Sequence, residues 1–108
     1  MQVTGSSSLS ANANLVISGS RGQGVFVSNN SHATLDGAHI TGGQHGGLVA
    51  MNLSTITLIG QTAPTEVSAN ATDVFCDSKS VIAGAANVAN ATTIKCGNLL
   101  SDIYEPTP

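Results

Sequence analysis

GVFVSNNSHATLDG, at residues 24–37, recurs as GLVAMNLSTITLIG at residues 47–60, an offset of 23 residues. The first and last glycines of the two stretches coincide, and so do four further pairs: Asn29/Asn52, Ser31/Ser54, Thr34/Thr57 and Leu35/Leu58. A third copy, ATDVFCDSKSVIAG, spans residues 71–84 at an offset of 24, and a fainter copy, SSSLSANANLVISG, ends at Gly19. Four copies of one unit indicate a fold built from stacked repeats.

The apolar side chains within each copy alternate with polar or small ones. Such alternation is typical of β-strands, because successive side chains leave opposite faces of the backbone. Strands that recur every 18–24 residues are too far apart for tight hairpins, but they can stack as coils about 4.8 Å apart around a continuous aliphatic core. The copies predict three inward columns: Leu9, Val27, Ala50 and Val74; Leu15, Ala33 and Ile56, with Ser80 as an exception; and Ile17, Leu35, Leu58 and Ile82.

Polar residues also recur at fixed positions of the repeat. Asn29 and Asn52 coincide, and the third copy adds Ser78 to the pair Ser31 and Ser54. Identical polar side chains at one position of a stack can form hydrogen-bond ladders, so we predict an asparagine ladder and an outward serine ladder. Four asparagines head N-x-S/T sequons, namely Asn29, Asn52, Asn70 and Asn90, but the ladders explain the recurrence of the first two without glycans.

The two cysteines provide an independent test of the stack. Cys76 and Cys96 are 20 residues apart, close to one coil, and follow the similar dipeptides Val-Phe and Ile-Lys. Stacking would bring their Cα atoms within disulfide range, about 4.4–6.8 Å. Two buried free thiols are the alternative, whereas a metal site lacks a CxxC or a histidine pair nearby. A disulfide predicts an oxidising location: secreted, periplasmic or cell-surface.

Composition excludes several classes of partner. Charged residues make up 8% of the chain, the net charge is −3, and the three basic residues are Arg21, Lys79 and Lys95. Nucleic acids and anionic membranes both require a basic face, so neither is an expected partner. No stretch approaches the eighteen apolar residues of a membrane span. Aromatic residues are 3% of the chain, which favours a thin, repetitive interior over a conventional core.

The two ends of the chain differ in pattern. Residues 1–98 are predicted to form the coils, and residues 99–108 a C-terminal cap segment with a frayed tail. Leu99, Leu100, Ile103 and Tyr104 can cover the open end of the stack. No comparable cap precedes Val3, which indicates either a C-terminal fragment or an N-terminal edge that pairs with another copy.

The units at residues 24–37 and 47–60 resemble the coils of the pectin-lyase-like superfamily, and the resemblance extends from Val3 to Cys96. It implies an all-β fold: a right-handed parallel β-helix (β-solenoid) of about four to five coils. That superfamily hosts pectate and pectin lyases, polygalacturonases, phage tailspikes and secreted adhesins, so the fold alone does not fix the function.

The catalytic groups of the enzymes in that superfamily are not reproduced here. Pectate lyases hold calcium with clustered carboxylates and abstract a proton with an arginine, while polygalacturonases use several aspartates on adjacent rungs. Up to Thr72 this chain has two carboxylates, Asp36 and Glu66. Asp73 and Asp77 lie four residues apart without a third carboxylate, and we predict that they are turn and surface residues. We expect no metal, no cofactor and no catalytic residue.

Five side chains are candidates for ligand contact: His32, His39, His45, Arg21 and Asp36. His32 occupies the Thr55 position and should point outward. His39 and His45 flank the turn at residues 41–44, and a folded-back turn would gather the histidines, whereas scattered surface histidines are the alternative. A Ser31–His39–Asp36 triad has no nucleophile-elbow motif to support it.

We therefore expect a noncatalytic β-helix segment of a secreted or cell-surface protein, used for carbohydrate or protein contact or as a structural spacer. The first alternative is the C-terminal fragment of a polysaccharide lyase or glycoside hydrolase with its active site on missing coils. The second is a self-assembling module that stacks through its open N-terminal edge.

Overall fold

The computed structural model describes residues 1–11, 15–61, 63–76, 80–84 and 87–96, together with the backbone of residues 98–100 and 103–105. The first coil contains β1 (Gln2–Val3), β2 (Ser8–Ala11) and β3 (Val16–Ser18). The second contains β4 (Gln23–Val27), β5 (His32–Asp36) and β6 (His39–Thr41), and the third β7 (Gly46–Ala50), β8 (Thr55–Ile59) and β9 (Thr65–Ser68). The fourth contains β10 (Val74–Cys76), β11 (Val81–Ala83) and β12 (Val88–Ala89), and it is followed by β13 (Ile94–Lys95), β14 (Asn98–Leu100) and β15 (Ile103–Glu105).

Three parallel sheets run along the stack, one for each strand position in a coil. Sheet A has the order β1-β4-β7-β10-β13, and sheet C has the order β3-β6-β9-β12, written in reverse. Sheet B stacks β2, β5, β8 and β11 in parallel and ends with β15 and β14, which pair antiparallel. Almost no helix occurs in the described part of the chain. The predicted all-β parallel solenoid is thus confirmed, with about four turns.

Sheet B ends differently from its neighbours. The β14–β15 hairpin adds to the last parallel strand of sheet B, whereas sheets A and C end in the two-residue strands β13 and β12. The proposed division between coils and cap at residues 98 and 99 stays a prediction, and residues 106–108 lie outside the described residues. Among the described residues, no helix has the length and apolar character needed to cross a bilayer.

The core consists of aliphatic columns, and part of the predicted pairing is correct. Val27 stacks on Ala50, Ala33 on Ile56 and Leu35 on Leu58, and all six side chains are buried. The full columns are Val3/Val27/Ala50/Cys76, Val25/Leu48/Val74/Ile94, Leu9/Ala33/Ile56/Ile82, Ala11/Leu35/Leu58 and Ile17/Ile40/Val67.

Several predicted partners in these columns were wrong. Ile82 stacks on Ile56 and not on Leu58, and Val74 stacks on Leu48 and not on Ala50. The first coil is shifted as well, so that Leu9 lies on Ala33, Ile17 lies on Ile40, and the Leu15 carbonyl accepts from His39 N at 3.0 Å beside sheet C. The fourth coil is offset by 26 residues from the third, and the first by 24 from the second at β1 and β2.

The cause of the larger offset is the turn between β8 and β9. Five residues, 60–64, separate these two strands, whereas only residues 37 and 38 separate β5 from β6. The added length shifts every later strand while leaving the strands themselves in phase. An ungapped alignment that superposed Gly84 on Gly60 therefore gave the wrong partners.

The serine ladder exists, but it points inward and has a different third member. Ser31 and Ser80 are fully buried, and Ser54 nearly so. Each hydroxyl accepts from a backbone N–H of the preceding coil: Ser7 N to Ser31 Oγ at 3.1 Å, Ser31 N to Ser54 Oγ at 3.2 Å and Ser54 N to Ser80 Oγ at 3.1 Å. The corner between sheets A and B leaves these donors without strand partners, and a buried donor requires an acceptor. Ser78, Asp77 and Lys79 lie outside the described residues.

The asparagine ladder is confirmed on the outer side of the same corner. Asn52 Nδ2 donates to Asn29 Oδ1 at 3.4 Å. Both residues, and Asn30 and Leu53 after them, have φ between 57° and 64°. Two consecutive left-handed residues turn the chain from sheet A into sheet B, and asparagine tolerates this conformation better than most side chains.

Candidate functional site

The outer face of sheet A carries the two phenylalanines of the chain. Phe26, Val49, Phe75 and Lys95 are in register on β4, β7, β10 and β13. They alternate with buried core residues and therefore point away from the interior. Val49 is only 4% exposed, because in-register phenyl rings on the same face are close enough to cover it.

A groove of about 340 Å³ lies on this face beside the corner with sheet C. Strands β7, β10 and β13 supply its central side chains, and the turns around them supply the rest. Its lining residues are Gln23, His45, Val49, Met51, Thr72, Phe75 and Lys95. An apolar surface with a few converging polar groups is the usual character of a ligand site.

The groove has the opposite charge character to the chain as a whole. The net charge is −3, yet the lining residues include Lys95 and His45 and no aspartate or glutamate. Lys95 is exposed on the edge strand β13 and carries a permanent positive charge at neutral pH. The groove is therefore suited to an anionic group.

A buried carboxylate holds the corner behind the groove. Asp73 is 1% exposed, and its Oδ2 accepts from Thr92 N at 2.9 Å and from Thr93 N at 3.3 Å. Its Oδ1 accepts from Asn70 N at 3.1 Å and Asn70 Nδ2 at 3.0 Å. Asn70 Oδ1 in turn accepts from Gly43 N at 2.7 Å. The network ties the turn that contains Thr72 to the chain entering β13.

The environment of Asp73 explains its protonation behaviour. Burial alone raises the pKa of this carboxyl, but the hydrogen bonds from Thr92, Asn70 and Thr93 favour the charged form and lower the pKa below its ordinary value. The prediction of a turn residue is correct for Asp73, whereas the prediction of a surface residue is wrong. Its two oxygens are occupied by structural donors, so it supports the site and does not line it.

The predicted disulfide is confirmed. Cys76 and Cys96 are bonded across the β10–β13 rung with a Cα–Cα distance of 5.1 Å, and no cysteine is free. Both side chains are buried. Each follows directly on a groove residue, since Phe75 precedes Cys76 and Lys95 precedes Cys96.

The structure distributes the three candidate histidines over three sheets. His32 begins β5 on sheet B, exposed and in register with Thr55 as predicted, while His39 begins β6 on sheet C beside Glu66. His45, just before β7, is the one candidate among the groove residues. The histidines are therefore not gathered on one face.

The other two candidates lie away from the groove. Arg21 is exposed in the turn before β4, and Asp36 ends β5. A role in ligand contact stays a prediction for all five candidate residues. Within the described ranges, no group of three or more histidine, cysteine, aspartate or glutamate side chains is placed to hold a metal ion.

The Ser31–His39–Asp36 triad is not supported by the position of Ser31. This serine is fully buried, and its hydroxyl already accepts from Ser7 N. A nucleophile must be accessible to its substrate and close to a base. Ser31 instead serves the ladder of the corner.

Phe75, Lys95, Gln23 and Thr72 were not among the sequence candidates. They are separated by up to 72 positions along the chain and become neighbours only through the stacking register. One signal was present in the sequence: if Cys76 and Cys96 stack, the residues before them must stack as well, on the opposite face. Phe75 and Lys95 follow from that rule.

No family model, curated protein or solved structure matches the chain. The fold assignment therefore rests on the strand order and register. Any function must be argued from the geometry and charge of the groove.

Proposed function

We propose that the chain is a noncatalytic carbohydrate-contact module of a secreted or cell-surface protein, and that the groove on sheet A binds an acidic saccharide. Membership of the pectin-lyase-like superfamily is part of the same proposal. The observation that carries it is the in-register pair Phe75 and Lys95, an aromatic ring beside a cation on an open face. The disulfide supports an oxidising compartment.

The chemistry of the lining residues matches a sugar that bears a carboxylate. The phenyl ring of Phe75 offers an apolar surface for the C–H face of a pyranose, and aromatic side chains contribute much of the contact energy at binding surfaces. Lys95 Nζ can donate a charge-assisted hydrogen bond to a carboxylate. Gln23 and Thr72 add neutral donors and acceptors for hydroxyl groups.

Isothermal titration calorimetry tests the proposal with an α-1,4-linked galacturonate tetrasaccharide and a neutral glucose tetrasaccharide as probes. We expect the acidic probe to bind about tenfold more tightly than the neutral one, corresponding to about 1.4 kcal/mol. The Phe75→Ala and Lys95→Met variants should each lose about tenfold in affinity for the acidic probe.

Matched controls separate the groove from general effects. Phe26→Ala removes the other outer phenyl ring, and Arg21→Met removes an exposed positive charge outside the groove. Both controls should bind the acidic probe as the parent does. Absence of binding by the parent, or parental affinity in Lys95→Met, would overturn the proposal. Cleavage of either probe would overturn its noncatalytic part.

A further inference from the structure

The disulfide lies directly beneath the groove wall formed by Phe75 and Lys95. Successive residues of a strand point to opposite faces, so the buried sulfurs of Cys76 and Cys96 lie inside the stack while the two preceding side chains lie outside. The covalent bond therefore joins the two strands that supply the aromatic ring and the cation.

Strand β13 has little else to hold it. It is two residues long, it is the edge of sheet A, and its one strand neighbour is β10. Ile94 is 41% exposed and Lys95 is exposed, so the strand buries little apolar surface. Its N-terminal side is held by Asp73, through the N–H groups of Thr92 and Thr93. Its C-terminal side is held by the disulfide.

We propose that the Cys76–Cys96 disulfide is a redox-sensitive clamp that keeps Lys95 in register with Phe75 and so makes ligand binding depend on oxidation. The inference rests on the proposed function of the groove. Reduction leaves the Asp73 anchor in place but releases the far end of β13. Lys95 then samples positions away from Phe75, and the groove loses its cationic wall.

The chemical step requires a dithiol such as dithiothreitol. One thiolate attacks a sulfur of the Cys76–Cys96 bond and forms a mixed disulfide, which the second thiolate of the reagent resolves. The protein gains two electrons and two protons as two cysteine thiols, and the reagent leaves as a cyclic disulfide. Because both sulfurs are buried, the attack requires fraying of β13, so reduction is followed to completion by thiol alkylation and mass measurement.

Limited trypsin digestion tests the clamp without any ligand. Trypsin cleaves after Lys95, and it cleaves after Arg21 in the second coil, which provides an internal control. We expect reduction to accelerate cleavage after Lys95 about tenfold and to leave cleavage after Arg21 unchanged. Fragments are reduced and alkylated before mass analysis, so that cleavage within the intact disulfide loop is also detected.

The binding arm uses the galacturonate tetrasaccharide with the oxidised parent, the reduced parent and the Cys76→Ser, Cys96→Ser double variant. The reduced parent and the double variant should bind about tenfold more weakly than the oxidised parent, and the reductant should not change the affinity of the double variant. Circular dichroism should show that the β-signal of the stack persists in all three.

The outcomes separate the clamp from the proposed function. If the oxidised parent does not bind the tetrasaccharide, the proposed function fails, and the trypsin arm still decides the clamp. If the oxidised and reduced parents show equal affinity, or equal cleavage after Lys95, the clamp is overturned. Loss of the whole β-signal on reduction also overturns it, because the bond would then hold the entire stack.

Discussion

Leu53 adopts a backbone conformation that leucine rarely takes. Its φ is 64°, its side chain is 58% exposed, and the equivalent residue of the preceding coil is Asn30 with φ 60°. We expect Leu53→Asn to raise the free energy of unfolding by about 1 kcal/mol, because asparagine relieves the left-handed strain and no buried contact is lost. Urea denaturation measures the change. The reverse substitution, Asn30→Leu, should lower stability by a similar amount, and a loss of stability in Leu53→Asn would contradict the strain.

Thr65 illustrates a different local cost. Its side chain is fully buried on β9, and its Oγ1 has no hydrogen-bond partner. The substitution Thr65→Val should raise the free energy of unfolding by about 1 kcal/mol, because valine has nearly the same shape and removes a buried unsatisfied hydroxyl. Thr57→Val on the outer face of β8 is the control and should change stability by less than about 0.5 kcal/mol. Equal effects at both sites would show that Thr65 gains nothing from losing its hydroxyl.

At the scale of the elements, Asp73 links the β9–β10 corner to the start of β13. Its folded pKa is lower than its ordinary value, so it stabilises the fold fully above about pH 4, where the unfolded aspartate is ionised. This stabilisation is lost as the pH falls through the lowered pKa. Denaturation midpoints measured from pH 7 downward should therefore decrease in the acidic range.

Asp73→Asn should flatten that acidic decrease and lower the stability at pH 7 by about 2 kcal/mol, because the amide cannot accept from every donor that now surrounds the carboxylate. Glu66→Gln is a suitable control, since Glu66 Oε1 accepts a single exposed hydrogen bond from Asn90 and the amide oxygen can replace it. An Asp73→Asn variant with the parental acid profile would show that another group governs it.

The elements also show how far the sequence can be read. Alternation and the repeat of Asn29 on Asn52 predicted strands, coils and one ladder correctly, because these depend on local periodicity. The register of the fourth coil was not predictable in the same way, since residues 60–64 lengthen one turn without any change in the strand pattern. A serine that caps a backbone N–H inside the corner, such as Ser54, is also indistinguishable in sequence from one on the surface.

The candidate site depends on that register and was therefore harder to predict. His45 was identified as a candidate because histidine is chemically versatile, but Phe75 and Lys95 were not, because neither is unusual alone. Their meaning comes from their stacking on one face, which follows from the disulfide position. A pairing constraint from two cysteines thus carries more information about the site than the identity of any single residue.

At the scale of the whole molecule, the coils contact mainly their neighbours, yet the core columns are continuous through the stack. Leu58 is buried in the third coil beneath Leu35 of the second. Leu58→Asp places an unpaired charge there at a cost of about 3–5 kcal/mol, a large part of the roughly 5–15 kcal/mol that stabilises a domain. We expect circular dichroism to show loss of most β-signal, with Thr57→Asp on the outer face retaining it. A Leu58→Asp variant with the parental denaturation midpoint would show that this column does not face the core.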